Sequence, residues 1–163
     1  MQRYTSAETS INSSKLPAIY GKLAKQNIRD CHLLDFGCGK YLKYIKTWCK
    51  ARNIKYLPYD AFNQPQKVNE ASLLAASKAE NLVVVCSNVL NVIEEDEIVR
   101  SIVETLVSFK APVFTTVYEG DGKGKGRTTK RDCWQRNEKL RQYARFFPAN
   151  ARVERGMIVC GLR

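Results

Sequence analysis

Two carboxylates and two glycines hold the clearest chemistry in this chain. In the run Leu33-Leu34-Asp35-Phe36-Gly37-Cys38-Gly39 an acid sits at the end of an apolar stretch, and two glycines come directly after it. Glycine accepts positive φ and lets a ligand approach the backbone where a Cβ would obstruct it. Asp60 lies 21 residues beyond Gly39, at the end of a second apolar run. A carboxylate there can accept hydrogen bonds from the hydroxyls of a ribose. An acid at that point can also cap a turn, and two glycines can serve a plain strand-to-helix turn. The ordered combination favours a nucleotide-like ligand.

Strands alternating with helices are needed to bring these residues together. Short apolar runs predict strands over 32–36, 54–59, 81–87 and 111–118, with a final pair of short strands over 151–155 and 157–161. Pro58 near the end of the second run argues against a place in the middle of a ladder. Helical spacing predicts helices over 14–25, with Ser14 as cap, over 41–49 and 70–79, from Glu94 onward, and as a basic helix over 134–146. The acids Glu94 to Glu97 suit the positive end of the fourth helix, whose core stripe is Ile98, Val99, Ile102, Val103, Leu106 and Val107. The resulting expectation is a single three-layer α/β domain over 14–163, preceded by a Ser/Thr/Asn-rich arm over 1–13. Its sheet is mostly parallel, with a C-terminal antiparallel hairpin. The stretch 61–80 is too short for a further strand and helix, so a third-strand region is reduced.

The 163 residues carry a formal charge of +11, unevenly placed. Residues 1–109 hold 14 basic and 11 acidic side chains, and residues 110–163 hold 13 and 5. This bias towards the last third favours an anionic partner such as DNA or RNA. No apolar run is long enough to span a bilayer, and the opening residues lack a secretory signal, so a soluble, cytoplasmic protein is expected. The six cysteines are scattered without a CxxC pair, and with a single histidine they argue for reduced structural thiols and against a metal site.

The segment LLDFGCG resembles the first motif of the class I S-adenosylmethionine-dependent methyltransferases. Asp60 is similar to that family's ribose-binding acid, and CSNVLNVIEEDE resembles its fourth-strand region. GCGKY and VLNVI are also similar to segments of compact methyltransferase-like proteins of phages and mobile elements. The resemblance implies a Rossmann-like class I methyltransferase fold with S-adenosylmethionine as cofactor. It lays Gly37, Cys38 and Gly39 along the methionine part, with Asp35 orienting the turn. Asp60 meets the ribose, Ala61 or Phe62 the adenine, and Ser87, Asn88 and Val89 edge the pocket near the reactive methyl.

Methyl transfer needs an acceptor in line with the methyl and, for a protonated acceptor, a base. The chain lacks both the Pro-Pro-aromatic signature of amino-methylating DNA enzymes and the Pro-Cys nucleophile of cytosine-5 enzymes. Glu119, as a base or as the orienter of an acceptor amine, and its neighbour Tyr118 are the candidate catalytic residues. The Gly-rich basic loop and the segment after it supply candidate substrate ligands: Lys123, Lys125, Arg127, Lys130, Arg131 and Arg136 for phosphates and Trp134 for a base. The leading expectation is a methyltransferase acting on an anionic acceptor, nucleic acid or nucleotide favoured. The alternatives are a non-catalytic S-adenosylmethionine- or nucleic-acid-binding module and an enzyme that degrades the cofactor.

Overall fold

A computed structural model describes residues 15–128 and 133–161. In chain order its strands are β1 (His32–Phe36), β2 (Lys55–Tyr59), β3 (Leu82–Ser87), β4 (Val113–Thr116), β5 (Arg127–Thr128), β6 (Trp134–Gln135), β7 (Arg152–Glu154) and β8 (Met157–Cys160). Six of them form the main sheet, ordered β2-β1-β3-β4-β8-β7, and β5 pairs with β6 alone. The first four run parallel. The last two are antiparallel to each other, and β8 is antiparallel to β4. Leu82–Cys86 is apolar and buried at every position, as a central strand covered on both faces requires. Pro58 stands in β2, the edge strand, where its missing N–H costs no ladder bond on the open side.

Alternation along each strand divides the core in two. On one face α1 (Ala18–Ala24) and α2 (Lys43–Lys50) pack Ile19, Leu23, Ile45 and Trp48 onto Leu33, Val83, Val85 and Phe114. On the other, α3 (Gln66–Lys78), α4 (Asp96–Ser108) and α5 (Leu140–Tyr143) cover Leu34, Phe36, Val84 and Val113. The stripe of α4 behaves as its spacing predicts: Val99, Val103 and Leu106 are buried, with Ile98, Ile102 and Val107 packed beside them. The C-terminal hairpin turns through Arg155 and Gly156, both at positive φ (49° and 70°). That pairing matches the type I′ turn that a right-twisted hairpin favours. Only α3 separates β2 from β3, so the reduced third-strand region is a single helix.

Three boundaries differ from expectation. The first helix starts at Ala18 after Pro17, and Ser14 lies outside the described residues, as does the 1–13 arm. The third starts at Gln66, behind Pro65 as N-cap, four residues before the apolar spacing shows it. The basic helix over 134–146 is not formed as one element. Trp134–Gln135 is instead the strand β6, paired antiparallel with β5; the chain then passes through Asn137 at φ +57° to a one-turn α5 and a 3-10 turn over Ala144–Phe146. The cause is tertiary. Arg136 N donates to Asn91 O (2.9 Å), and Gln135 Nε2 donates to Tyr118 O (2.8 Å). Bonds to distant carbonyls thus replace the local helical ladder and override propensity. Among the described residues no helix is long and apolar enough to cross a membrane.

Candidate cofactor cleft

From β1 the chain winds through α2 to β2 on one side, then returns through α3 to β3 on the other. Connections that leave in opposite directions open a crevice at the carboxyl ends of the two middle strands, where ligands of open α/β sheets bind. Gly37–Gly39 comes after β1 at that place, and Ser87–Val89 ends β3 beside it. Gly37 and Gly39 sit at φ +81° and +73°. At Gly37 a Cβ would come within 2.2 Å of Val89 Cγ2. The first glycine is therefore required for the two strand ends to pack against each other, whatever else it does.

The glycine turn is clamped to the end of β2. Gly37 N and Cys38 N both donate to Tyr59 O, at 2.7 and 3.1 Å, and Gly39 N donates to Asp60 Oδ2 at 2.9 Å. Asp60 Oδ1 accepts from Phe62 N and Asn63 N at 2.9 Å and from Asn63 Nδ2 at 3.0 Å. Asn69 reaches back from α3: its Oδ1 accepts from Asp60 N, and its Nδ2 donates to Asp60 O. Gln64 Nε2 completes the clamp on Gly39 O at 2.7 Å. Asp60 thus caps its own turn and ties it to the glycines. A carboxylate offers about four acceptor sites; among the described residues Oδ2 uses one, so this oxygen has room for a ligand hydroxyl.

Beside Asp60 opens a slot of about 180 Å³, lined by Phe36, Tyr59, Asp60, Ala61, Val89 and Ile102 together with Gly37, Phe62 and Val92. The rings of Phe36 and Tyr59 stack at 4.5 Å and 28° to form one wall. Phe62, 49% exposed, forms the lip. An apolar cavity of roughly 150 Å³ holds one benzene-sized ring, so the slot suits one planar ring system, with the rest of a ligand lying along the open crevice.

Asp35 does not line this slot. Strand alternation turns it to the opposite face, beneath α1, where Oδ2 accepts from Tyr20 OH (2.6 Å) and Tyr56 OH (2.8 Å). Burial raises its carboxyl to about 6, although both tyrosine bonds act to lower it. Cys38 is buried as well, and burial, with the nearby Asp35 and Asp60 acting after it, pushes its thiol well above the usual range. All six cysteines are buried and outside any disulfide.

The acceptor candidates lie on the same sheet edge. The hydroxyls of Ser87 and Thr116 are 3.0 Å apart, and Asn88, at φ +57°, donates its N–H to Thr116 O at 2.9 Å. Tyr118 is 63% exposed. Glu119 is exposed, and its Oε1 accepts from Leu140 N at 2.7 Å, holding the start of α5. Lys123, Lys125 and Arg127 are exposed on the Gly-rich loop, while Trp134 lies across Gly126. Lys130 and Arg131 fall outside the described residues.

Arg136 corrects the sequence expectation of a substrate ligand. It is 6% exposed, and its guanidinium donates to Ile93 O (2.6 Å), Glu94 O (2.7 Å), Asp96 Oδ1 (2.6 Å) and Glu138 Oε1 (3.3 Å). It is a clamp between β6 and the segment leading into α4. Sequence reasoning missed Tyr20 and Tyr56, which lie 15 and 21 residues along the chain from the Asp35 carboxylate they serve, and Asn69, which holds the Asp60 backbone. It also passed over Phe36 and Tyr59, whose strand period does place them on the slot's face.

A larger, more open groove of about 960 Å³ lies at the amino ends of the same strands, lined by Lys46, Lys50, Lys55 and Lys78 with Asp30 and Glu80. It contains neither the glycine turn nor a buried carboxylate, so the smaller slot is the stronger cofactor candidate. Among the described residues no cluster of His, Cys, Asp or Glu is placed to hold a metal ion. No protein-family model, curated protein or solved structure matches the chain.

Proposed function

We propose that this chain is a methyltransferase of the class I type, taking S-adenosylmethionine in the cleft between the ends of β1 and β3. The observation that carries the reading is the ring-sized apolar slot beside Asp60 at the point where the strand order reverses. In this reading Phe36, Tyr59, Ala61 and Phe62 enclose the adenine. Asp60 Oδ2 accepts from a ribose hydroxyl while keeping its bond from Gly39 N. Gly37, Cys38 and Gly39 border one side of the remaining crevice, and Ser87, Asn88 and Val89 the other. Bound there, S-adenosylmethionine supplies an electrophilic methyl group on its sulfonium sulfur.

The chain's own contribution is positioning. The clamped glycine turn and the Asp60 loop are already bonded into one arrangement, so little order has to be created on binding. Tyr118 and Glu119 stand on the open side of the crevice. Glu119 holds Leu140 N through Oε1, and its Oε2 is the oxygen left to orient or receive an acceptor proton.

Calorimetry with S-adenosylmethionine and S-adenosylhomocysteine, against NAD and ATP, tests this directly. Selective binding of the first two is expected, and Ala61→Trp, which places a large ring at the slot, should abolish it while leaving the fold intact. Equal or absent binding of all four ligands defeats the reading. A second reading, a binding module without transfer, draws on the commitment of one Glu119 oxygen to α5. Cofactor binding with no demethylated product across nucleic-acid acceptors would favour it.

A further inference from the structure

The cleft's rim is where the molecule displays its rings. Among the described residues the exposed large aromatics are Tyr41 (41%), Tyr44 (39%), Phe62 (49%) and Tyr118 (63%). All four lie at the carboxyl edge of the sheet: Tyr41 and Tyr44 in the turn into α2 and its first turn, Phe62 after β2, Tyr118 after β4. Exposed cations accompany them. Lys40 and Lys43 each carry Nζ 5.9 Å from the ring centre of the adjacent tyrosine, and Lys123, Lys125 and Arg127 project from the loop beyond Tyr118. From β2 to β4 the rim crosses three strand intervals, about 14 Å at the usual spacing. The groove at the other end of the sheet has four lysines but no exposed ring.

We propose that this rim binds single-stranded nucleic acid across the mouth of the cleft, with bases stacked on Tyr41, Tyr44 and Tyr118 and phosphates held by the neighbouring lysines and Arg127. Cations alone would suit any polyanion. Part-exposed rings beside those cations add a preference for an open π-face, which unpaired bases offer and a duplex keeps inside its stack. The acids Glu94 to Glu97 interrupt the basic surface at the start of α4. They lie on the face opposite α2, where Arg136 and Arg145 pair with Asp96. That the strand is also the methyl acceptor rests on the cofactor reading above; its binding does not.

The test is fluorescence anisotropy without cofactor, using a labelled mixed-sequence single strand about 20 nucleotides long and the matching duplex. The single strand is expected to bind about tenfold or more tightly than the duplex. The triple variant Tyr41→Ser, Tyr44→Ser, Tyr118→Ser should lose about tenfold or more for the strand and little for the duplex. The variant Lys123→Gln, Lys125→Gln, Arg127→Gln should weaken both and lower the salt slope for the strand by about 2. Equal affinity for strand and duplex, or unchanged strand binding by the tyrosine variant with native circular dichroism, overturns the proposal. Parallel calorimetry with S-adenosylmethionine separates the two readings. Strand binding without cofactor binding removes the methyltransferase and leaves the rim; the reverse removes the rim.

Discussion

Replacing Arg136 with Met tests whether the β5–β6 pair is anchored on the segment leading into α4. Arg136 is 6% exposed and gives charged hydrogen bonds to two carbonyls, Ile93 O and Glu94 O. Losing a charged donor to each costs about 1.5 kcal/mol, so the two together contribute about 3 kcal/mol. The ion pair with Asp96, which is half exposed, adds between about 0 and 1 kcal/mol after solvent screening. The guanidinium lies 5.6 Å from the ring centre of Phe146, a contact worth about 0.5 kcal/mol. Loss of these contacts sums to about 3.5–4.5 kcal/mol, and at this chain length each kcal/mol lowers Tm by about 2–4 °C. Urea unfolding monitored by circular dichroism should therefore show a drop in midpoint with an unchanged slope, and a Tm lower by about 10 °C. Arg136→Lys keeps the charge but not the fork and should fall between. A loss below about 1 kcal/mol combined with weakened nucleic-acid binding would refute the clamp and return Arg136 to the ligand surface.

Two further substitutions probe the end of β1 and the turn after it. Gly37→Ala adds a Cβ that meets Val89 Cγ2 at 2.2 Å, at a φ of +81°. It should cost about 2–4 kcal/mol in urea unfolding, and Val89→Ala in the same chain should recover the steric part but not the roughly 1 kcal/mol of backbone strain; no recovery would mean that the two strand ends do not meet. Asp35, raised to about 6 by burial, stands above its unfolded value of about 3.9. Between pH 4 and 6 the folded state therefore binds more protons, and stability falls as pH rises, by of order 2–3 kcal/mol, before levelling above 6. Asp35→Asn keeps an acceptor for Tyr20 and Tyr56 and removes this dependence, so its stability relative to the parent should rise from pH 4 to pH 7.5. A difference that does not change with pH contradicts the assignment.

Residues whose partners are near in sequence, or whose period is sustained, were legible in the amino-acid sequence. The strands at 32–36 and 81–87, the α4 stripe and the final pair of short strands come directly from apolar runs and helical spacing. The glycine turn and Asp60 were legible as a pair, and the structure gathers Gly37, Asp60, Ala61, Phe62 and Val89 at one slot. What local pattern cannot show is which hydrogen-bond partners a carboxylate finds once distant elements pack against it. Asp35 serves two tyrosines beneath α1, and Asp60 serves four donors in its own loop and the glycine turn. The stretch from Trp134 reads as a basic helix because Trp, Arg and Lys tolerate one. The long-range bonds from Gln135 and Arg136 that forbid it leave no trace in spacing.

The short turn over Leu90–Val92 bears on both halves of the molecule's edge. Val92 lines the slot, while Asn91 receives Arg136 N on its carbonyl, bonds Gln135 and accepts from Tyr118 N. Two consecutive residues therefore serve the slot's wall and the floor of the β5–β6 pair. Any ligand that shifts this turn from within the slot changes the free energy of whatever rests on the hairpin. Linkage requires the second ligand to alter the first one's affinity by the same factor. Slot and β5–β6 pair thus share one turn, Val92 on the wall of the first and Asn91 under the second.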